Sequence, residues 1–136
     1  MTPILMLDTS AVLALVVDGP HRDVMLEAMG EFAMAAASAM ALTEAIPTID
    51  RLTDQQIQRE DLEDEIRRLW DHLFVVPLDS RCMEDASRLA RQHSMRICDA
   101  IHLSAAGRLP GPVTLATVDP SQIPIALELG FEVWST

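Results

Sequence analysis

Four acidic residues, Asp8, Glu44, Asp99 and Asp119, stand where a solvated surface does not call for a carboxylate. Asp8 closes the apolar run 4–7, and Asp119 follows another at 113–117. Glu44 is the only charge between Phe32 and Ile49, inside an alanine-rich stretch, and Asp99 opens the apolar segment 99–106. A carboxylate in such surroundings is costly unless a metal or another cation neutralises it. Carboxylates without Cys or His partners are hard oxygen donors that suit Mg²⁺ or Mn²⁺ rather than zinc. Each acid also has a plainer use. Asp8 or Ser10 could cap a helix, Asp99 could be an N-cap, Asp119 could start the Pro120 turn, and Glu44 could point outward from a half-buried helix.

The elements that must position these acids follow from the hydrophobic pattern. The apolar run ending at Asp8 reads as a buried strand of a parallel sheet, and such sheets hold ligands at the carboxyl ends of their strands. Ser10 is suited to cap a short apolar helix over 11–17, ended by Asp18-Gly19-Pro20. Residues 21–29 pattern as an amphipathic helix with Val24, Met25, Ala28 and Met29 inward, and 32–36 as a second strand. Ser38 caps the helix bearing Glu44, with Pro47 expected to kink it. Residues 53–73 pattern as a charged helix with one apolar stripe of Ile57, Leu62, Ile66, Leu69 and Leu73, and Glu63 paired to Arg67.

Strand 74–78 comes next, and Asp79-Ser80 caps a helix whose inward face is Cys82, Ala86, Leu89, Ala90 and His93. A helix from near Asp99 runs to Ala106, then strand 113–117, helix 123–129 closed by Gly130, and strand 131–134. Strands alternate with helices throughout, so the class is α/β, one domain over 1–136. A mainly parallel central sheet of about four to five strands is flanked by helices on both sides. In that arrangement Asp8 and Asp119 share one sheet edge.

Composition narrows the function. The 136 residues are 49% hydrophobic with a formal net charge of -11, and all 10 basic residues are Arg. Such a chain repels nucleic acid over most of its surface, so any nucleic-acid role needs local arginines or metal ions, while a basic protein partner is favoured. Arg22, Arg81, Arg88, Arg91, Arg96 and Arg108 are available, with Arg96 just ahead of Asp99. Cys82 and Cys98 fit neither a zinc spacing nor a redox motif and are expected as reduced thiols of a cytoplasmic protein. No signal peptide is expected, because the N-terminus lacks a basic region and Asp8 interrupts the apolar run, and no membrane span, because the apolar stretches are short.

Leu7-Asp8-Thr9-Ser10-Ala11, Thr43-Glu44, Cys98-Asp99-Ala100-Ile101-His102-Leu103-Ser104-Ala105-Ala106 and Thr117-Val118-Asp119, in that order, resemble the PIN-domain ribonucleases. The small size and the tail from Ala126 to Val133 look most like the VapC-type toxins of prokaryotic toxin–antitoxin pairs. The resemblance covers nearly the whole chain and implies a metal-dependent endoribonuclease acting on RNA of the tRNA or rRNA class. It implies that Asp8, Glu44, Asp99 and Asp119 hold Mg²⁺ or Mn²⁺, with Ser10 and Thr117 as auxiliary hydroxyls that order water or phosphate. It further implies inhibition by a VapB-like antitoxin with a basic segment, and homodimerisation. His102 matches a position where the family commonly has histidine, and its expected role is packing or a hydrogen bond; His21, His72 and His93 belong to no motif.

Other classes fit these residues less well. A haloacid-dehalogenase-like phosphatase needs a second acid two positions after its nucleophile and a catalytic Lys. Here position 10 is Ser and no Lys exists. An inactive PIN domain serving as a binding module has no need of Glu44 among alanines. A DNA-directed nuclease of the same fold remains the nearest neighbour.

Overall fold

Ile4–Leu7 forms strand β1, buried along its whole length at the centre of a five-stranded sheet. The computed structural model describes all residues from Met1 to Thr136. Strands β2 (Met34–Ser38), β3 (Phe74–Val76), β4 (Val113–Ala116) and β5 (Glu132–Trp134) complete the sheet in the order β3-β2-β1-β4-β5, every pair parallel. Helices α1 (Thr9–Val16), α2 (Arg22–Glu31), α3 (Ala39–Leu52), α4 (Gln56–Trp70), α5 (Ser80–His93), α6 (Ile97–Ala106) and α7 (Ile123–Glu128) cover it. The strand order reverses between β1 and β4, which makes their carboxyl ends the natural crevice of the sheet.

The period-2 alternation of β1 divides the interior into two cores. Leu5 and Leu7 pack with Ala11, Val12, Met25, Ala45, Ile49 and Ile66, on the side of α1 to α4. Ile4 and Met6 pack with Cys82, Ala86, Ala100, Ile101, Leu103 and Ala126, on the side of α5 to α7. Asp8 keeps the extended backbone of the strand (φ -82°, ψ 177°), so alternation turns it to the Met6 side, where α6 lies. Strand pattern alone thereby sends this carboxylate toward the helix bearing Asp99.

Several expected boundaries shift for physical reasons. Helix α1 starts at Thr9 with Asp8 as its cap, rather than at 11 with Ser10, because the Asp8 carboxylate reaches the Ala11 amide while the Ser10 hydroxyl turns back to Asp8. Strand β2 covers 34–38 rather than 32–36; alanine has little strand preference, and pairing of Ala37 with Leu7 fixes its place. Helix α3 passes through Pro47 to Leu52 without a break, and α2 runs through Gly30 to Glu31. Helix α4 is shorter than 53–73. Its apolar stripe holds at Ile66, Leu62 and Leu69, but Ile57 lies in the first turn and is 74% exposed. No helix is long and apolar enough to cross a membrane.

Leu7 is fully buried and directly precedes Asp8, so it sets the position of the carboxylate by packing. Leu7→Ala should lower stability by about 2–5 kcal/mol, measured by urea unfolding of the purified chain.

Candidate functional site

A cavity of about 240 Å³ opens at the carboxyl edge of the sheet, and Asp8, Glu44, Asp99 and Asp119 all line it. They arrive from four segments: the end of β1, the second turn of α3, the first turn of α6, and the turn after β4. Their surroundings differ, and each is compensated in its own way.

Asp8 is buried and accepts from four donors. The Ser10 hydroxyl (2.6 Å) and the Ala11 amide (2.9 Å) reach Oδ1. The Thr117 hydroxyl (2.5 Å) and the Gln122 amide Nε2 (2.7 Å) reach Oδ2. Burial nevertheless pushes its pKa above the ordinary 3.8, against the pull of the Ser10, Thr117 and Ala11 bonds. Ser10 and Thr117 also accept the Val118 and Asp119 amides, both at 3.0 Å. The two hydroxyls thus tie the end of β1 to the loop after β4. Ser10 lines the cavity; Thr117 is fully buried beneath Asp8 and does not reach the wall.

Glu44 meets an imidazole. His102 Nε2 lies 2.8 Å from Glu44 Oε1 and 3.0 Å from the Thr9 hydroxyl, which itself donates to Oε1 at 2.6 Å. An ionised carboxylate only accepts, so the proton sits on Nε2. Ser38 Oγ lies 3.0 Å from Nδ1. Ser38 occupies the cap position of α3 yet makes no cap bond, its hydroxyl being engaged with the ring. The His102 bond, ahead of the penalty of burial, lowers Glu44 from 4.5 to about 2. His102 is therefore a buried hydrogen-bonding residue, as its sequence position suggests. Cys98, beside Glu44, has its thiol pKa raised, first by burial and then by that carboxylate, so it stays protonated at neutral pH.

Asp99 and Asp119 share Arg96. Its Nε donates to Asp99 Oδ2 at 2.8 Å, and Nη2 donates to Asp99 Oδ1 at 3.1 Å and to Asp119 Oδ2 at 3.3 Å. Asp99 stands in the first turn of α6, not at its cap, which Arg96 occupies. Asp119 also caps the 3₁₀ turn Pro120–Gln122 through its bonds to Ser121. That turn buries Gln122, whose Nε2 bridges Asp8 and, at 3.4 Å, Asp99, while its Oε1 is buried with no partner.

Two arginines line the cavity, Arg96 and Arg51. Arg51 was not among the candidates from sequence. Of the others, Arg22, Arg88 and Arg108 are paired elsewhere with Asp18, Asp85 and Asp79. The sequence reading also missed Gln122 and Thr9. Neither had a local signal: Gln122 reaches Asp8 and Asp99, 114 and 23 residues away, and Thr9 reaches Glu44, 35 residues away.

The donor set suits a hard divalent ion: four carboxylates with flanking hydroxyls around one cavity. A cation, the Arg96 guanidinium, already rests on two of the acids. With Arg96, His102 and Gln122 holding the acids as they stand, no three Asp, Glu, His or Cys side chains are arranged to hold a metal ion.

The sequence profile described as PIN domain matches residues 5–122. No curated protein matches the sequence. Among solved structures, VapBC from Salmonella typhimurium bound to DNA is similar at TM-score 0.73 and 15% identity, covering 99% of this chain and 98% of the other. VapBC2 from Rickettsia felis, bound to a DNA fragment from its promoter, is similar at 0.71 and 16% identity over 98% of both chains. FitAcB from Neisseria gonorrhoeae is similar at 0.69 and 18% identity over 96% of both.

These environments separate the acids by what they do to stability without metal. Asp8→Asn should raise the melting midpoint by a few degrees, because it removes a charge held against burial, and Gln122 can turn its free Oε1 to the new amide. Glu44 has the opposite sign. Its folded pKa lies below 4.5, so its stabilisation is present above pH 4.5 and lost as pH falls toward 2. Glu44→Gln should be less stable than wild type near neutral pH, with the gap closing over pH 4.5 to 2 in urea titrations.

Proposed function

The chain belongs to the PIN-domain family, and we propose that it is a divalent-metal-dependent endoribonuclease, the toxin of a VapBC-type toxin–antitoxin pair. The observation that carries this reading is the gathering of Asp8, Glu44, Asp99 and Asp119 around one cavity at the strand-order reversal. In this reading they hold Mg²⁺ or Mn²⁺, which when bound supplies polarisation of the phosphate and acidification of a water.

The chain's own residues have distinct parts. Asp8, locked by four hydrogen bonds, is the fixed anchor of the site. Glu44 is oriented by His102 and Thr9. Asp119 is more open to solvent than Asp99, with side-chain exposures of 27% and 10%. It is the acid to accept the proton of the attacking water as a phosphodiester P–O bond breaks, the leaving oxygen being protonated from solvent. Ser10 and Thr117 act through Asp8, since both hydroxyl protons go to its carboxylate. This departs from the water-ordering role that the resemblance implies.

An antitoxin partner is supported by the toxin–antitoxin complexes among the structural neighbours. Charge complementarity adds to this: a chain at -11 attracts a basic segment. A second, apolar cavity of about 330 Å³, walled by Leu13, Ala14, Val17, Leu52 and Val118, shares Ser10, Leu13 and Thr48 with the acidic one. One segment of a partner can fill both with an apolar and a cationic side chain.

The second reading is a catalytically silent PIN module. Its favouring observation is that no three acids stand ready for an ion while Arg96 lies across two of them. RNA cleavage decides between the readings. The purified chain should cut RNA in Mg²⁺ or Mn²⁺ and stop in excess EDTA. Asp8→Asn and Asp99→Asn should each lower the rate by about two orders of magnitude or more with the fold intact by circular dichroism. Expression alone should arrest growth, and the Asp8→Asn form should not. Full cleavage in EDTA would remove the metal mechanism, and no cleavage under any metal would remove the nuclease reading.

A further inference from the structure

We propose that Arg96 is the resident cation of the metal-free site, that a divalent ion must displace it from Asp99 and Asp119, and that the freed guanidinium then binds an RNA phosphate. The inference rests on the metal-nuclease reading above and names a residue for two of its steps.

The acids are not equally provided for. Asp8 has four hydrogen-bond donors, and Glu44 has an imidazole and a hydroxyl. Asp99 and Asp119 depend for positive charge on one guanidinium, which uses both oxygens of Asp99 and Oδ2 of Asp119. Those are the oxygens an ion held by these two acids would take, so ion and guanidinium cannot both have them. The occupant is built to leave. Arg96 is 75% exposed on its side chain, so water and salt compete for the guanidinium although Asp99 beneath it is 10% exposed. A divalent ion brings twice the charge to the same oxygens.

Once displaced, Arg96 stays where a phosphate arrives. It precedes Asp99 by three residues and lies on the wall of the same cavity. On a surface of net charge -11 without Lys, the anionic backbone finds two arginines at this cavity, and Arg51 is directed to Thr48 Oγ1 at 3.1 Å. The planar fork that spans two carboxylates also matches phosphate oxygens in pairs. The same side chain thus opposes metal entry and favours substrate once metal is in.

The test compares wild type, Arg96→Met and Arg96→Lys as full chains, each checked for an unchanged fold by circular dichroism. Mn²⁺ binding is followed by the electron paramagnetic resonance of the free ion. RNA binding is followed by the anisotropy of a fluorescent mixed-sequence single-stranded 15-mer in saturating Ca²⁺. Arg96→Met should bind Mn²⁺ about threefold to tenfold more tightly and the RNA several-fold more weakly. Arg96→Lys, with the charge but not the fork, should fall between them for Mn²⁺. Equal or weaker Mn²⁺ binding by Arg96→Met would overturn the proposal. So would wild-type Mn²⁺ affinity in Arg96→Lys, which would make Arg96 a nearby charge and not an occupant. Unchanged RNA affinity in Arg96→Met, or no RNA binding by wild type, would overturn the phosphate role. Absence of Mn²⁺ binding from wild type and Arg96→Met alike would instead overturn the metal-nuclease reading, and this inference with it.

Discussion

The buried carboxylate of Asp8 is the constraint on which the rest of the site depends. It sits at the end of the central strand, and the sheet offers it no cation there. Its charge is accommodated by donors drawn from three places: the first turn of α1, the residue after β4, and the 3₁₀ turn that follows. Those donors place the loop after β4. Thr117 both donates to Asp8 and accepts the Asp119 amide, so the orientation of the fourth acid is inherited from the first. Gln122, held by the same carboxylate, reaches on to Asp99. One unfavourable burial organises a whole sheet edge.

The other acids solve the same electrostatic problem with progressively looser partners. Glu44 is held by an imidazole that is itself fully buried and fixed from behind by Ser38. Asp99 and Asp119 are held by an exposed guanidinium. The gradient runs from rigid to exchangeable across one cavity. For the metal site proposed above, this division has a use. The fixed end preserves geometry, while the exchangeable end lets a stronger cation enter without unfolding anything.

Much of this was legible in the sequence because it rests on strong local signals. An apolar run ended by Asp8, an alanine-rich helix interrupted by Glu44, and Asp99 in the first turn of an apolar helix each mark a carboxylate out of place. Alternation of strands and helices pointed to the parallel sheet, and the apolar runs ahead of Asp8 and Asp119 put both at one edge. What stayed hidden is tertiary. That Ser38 would turn from capping α3 to His102 depends on a residue 64 positions away. Strand β2 could not be bounded from its alanines, since its limits come from pairing with β1. Arg51 and Gln122 belong to the site only because α3 and the 3₁₀ turn converge there.

The resemblance implies a metal-holding role for the four acids, but it does not say what they do when no metal is present. Mutual repulsion of clustered carboxylates is the expectation from charge alone, and on that basis all four substitutions to amides would stabilise the chain. The structure divides them instead. Asp8 alone is pushed up by burial, whereas Glu44 is pulled down by its imidazole. Asp99 and Asp119 meet a guanidinium before they meet each other's charge. Repulsion among like charges therefore does not govern the metal-free site. Desolvation governs its buried end and ion pairing its open end, and a cation entering from solvent meets the open end first.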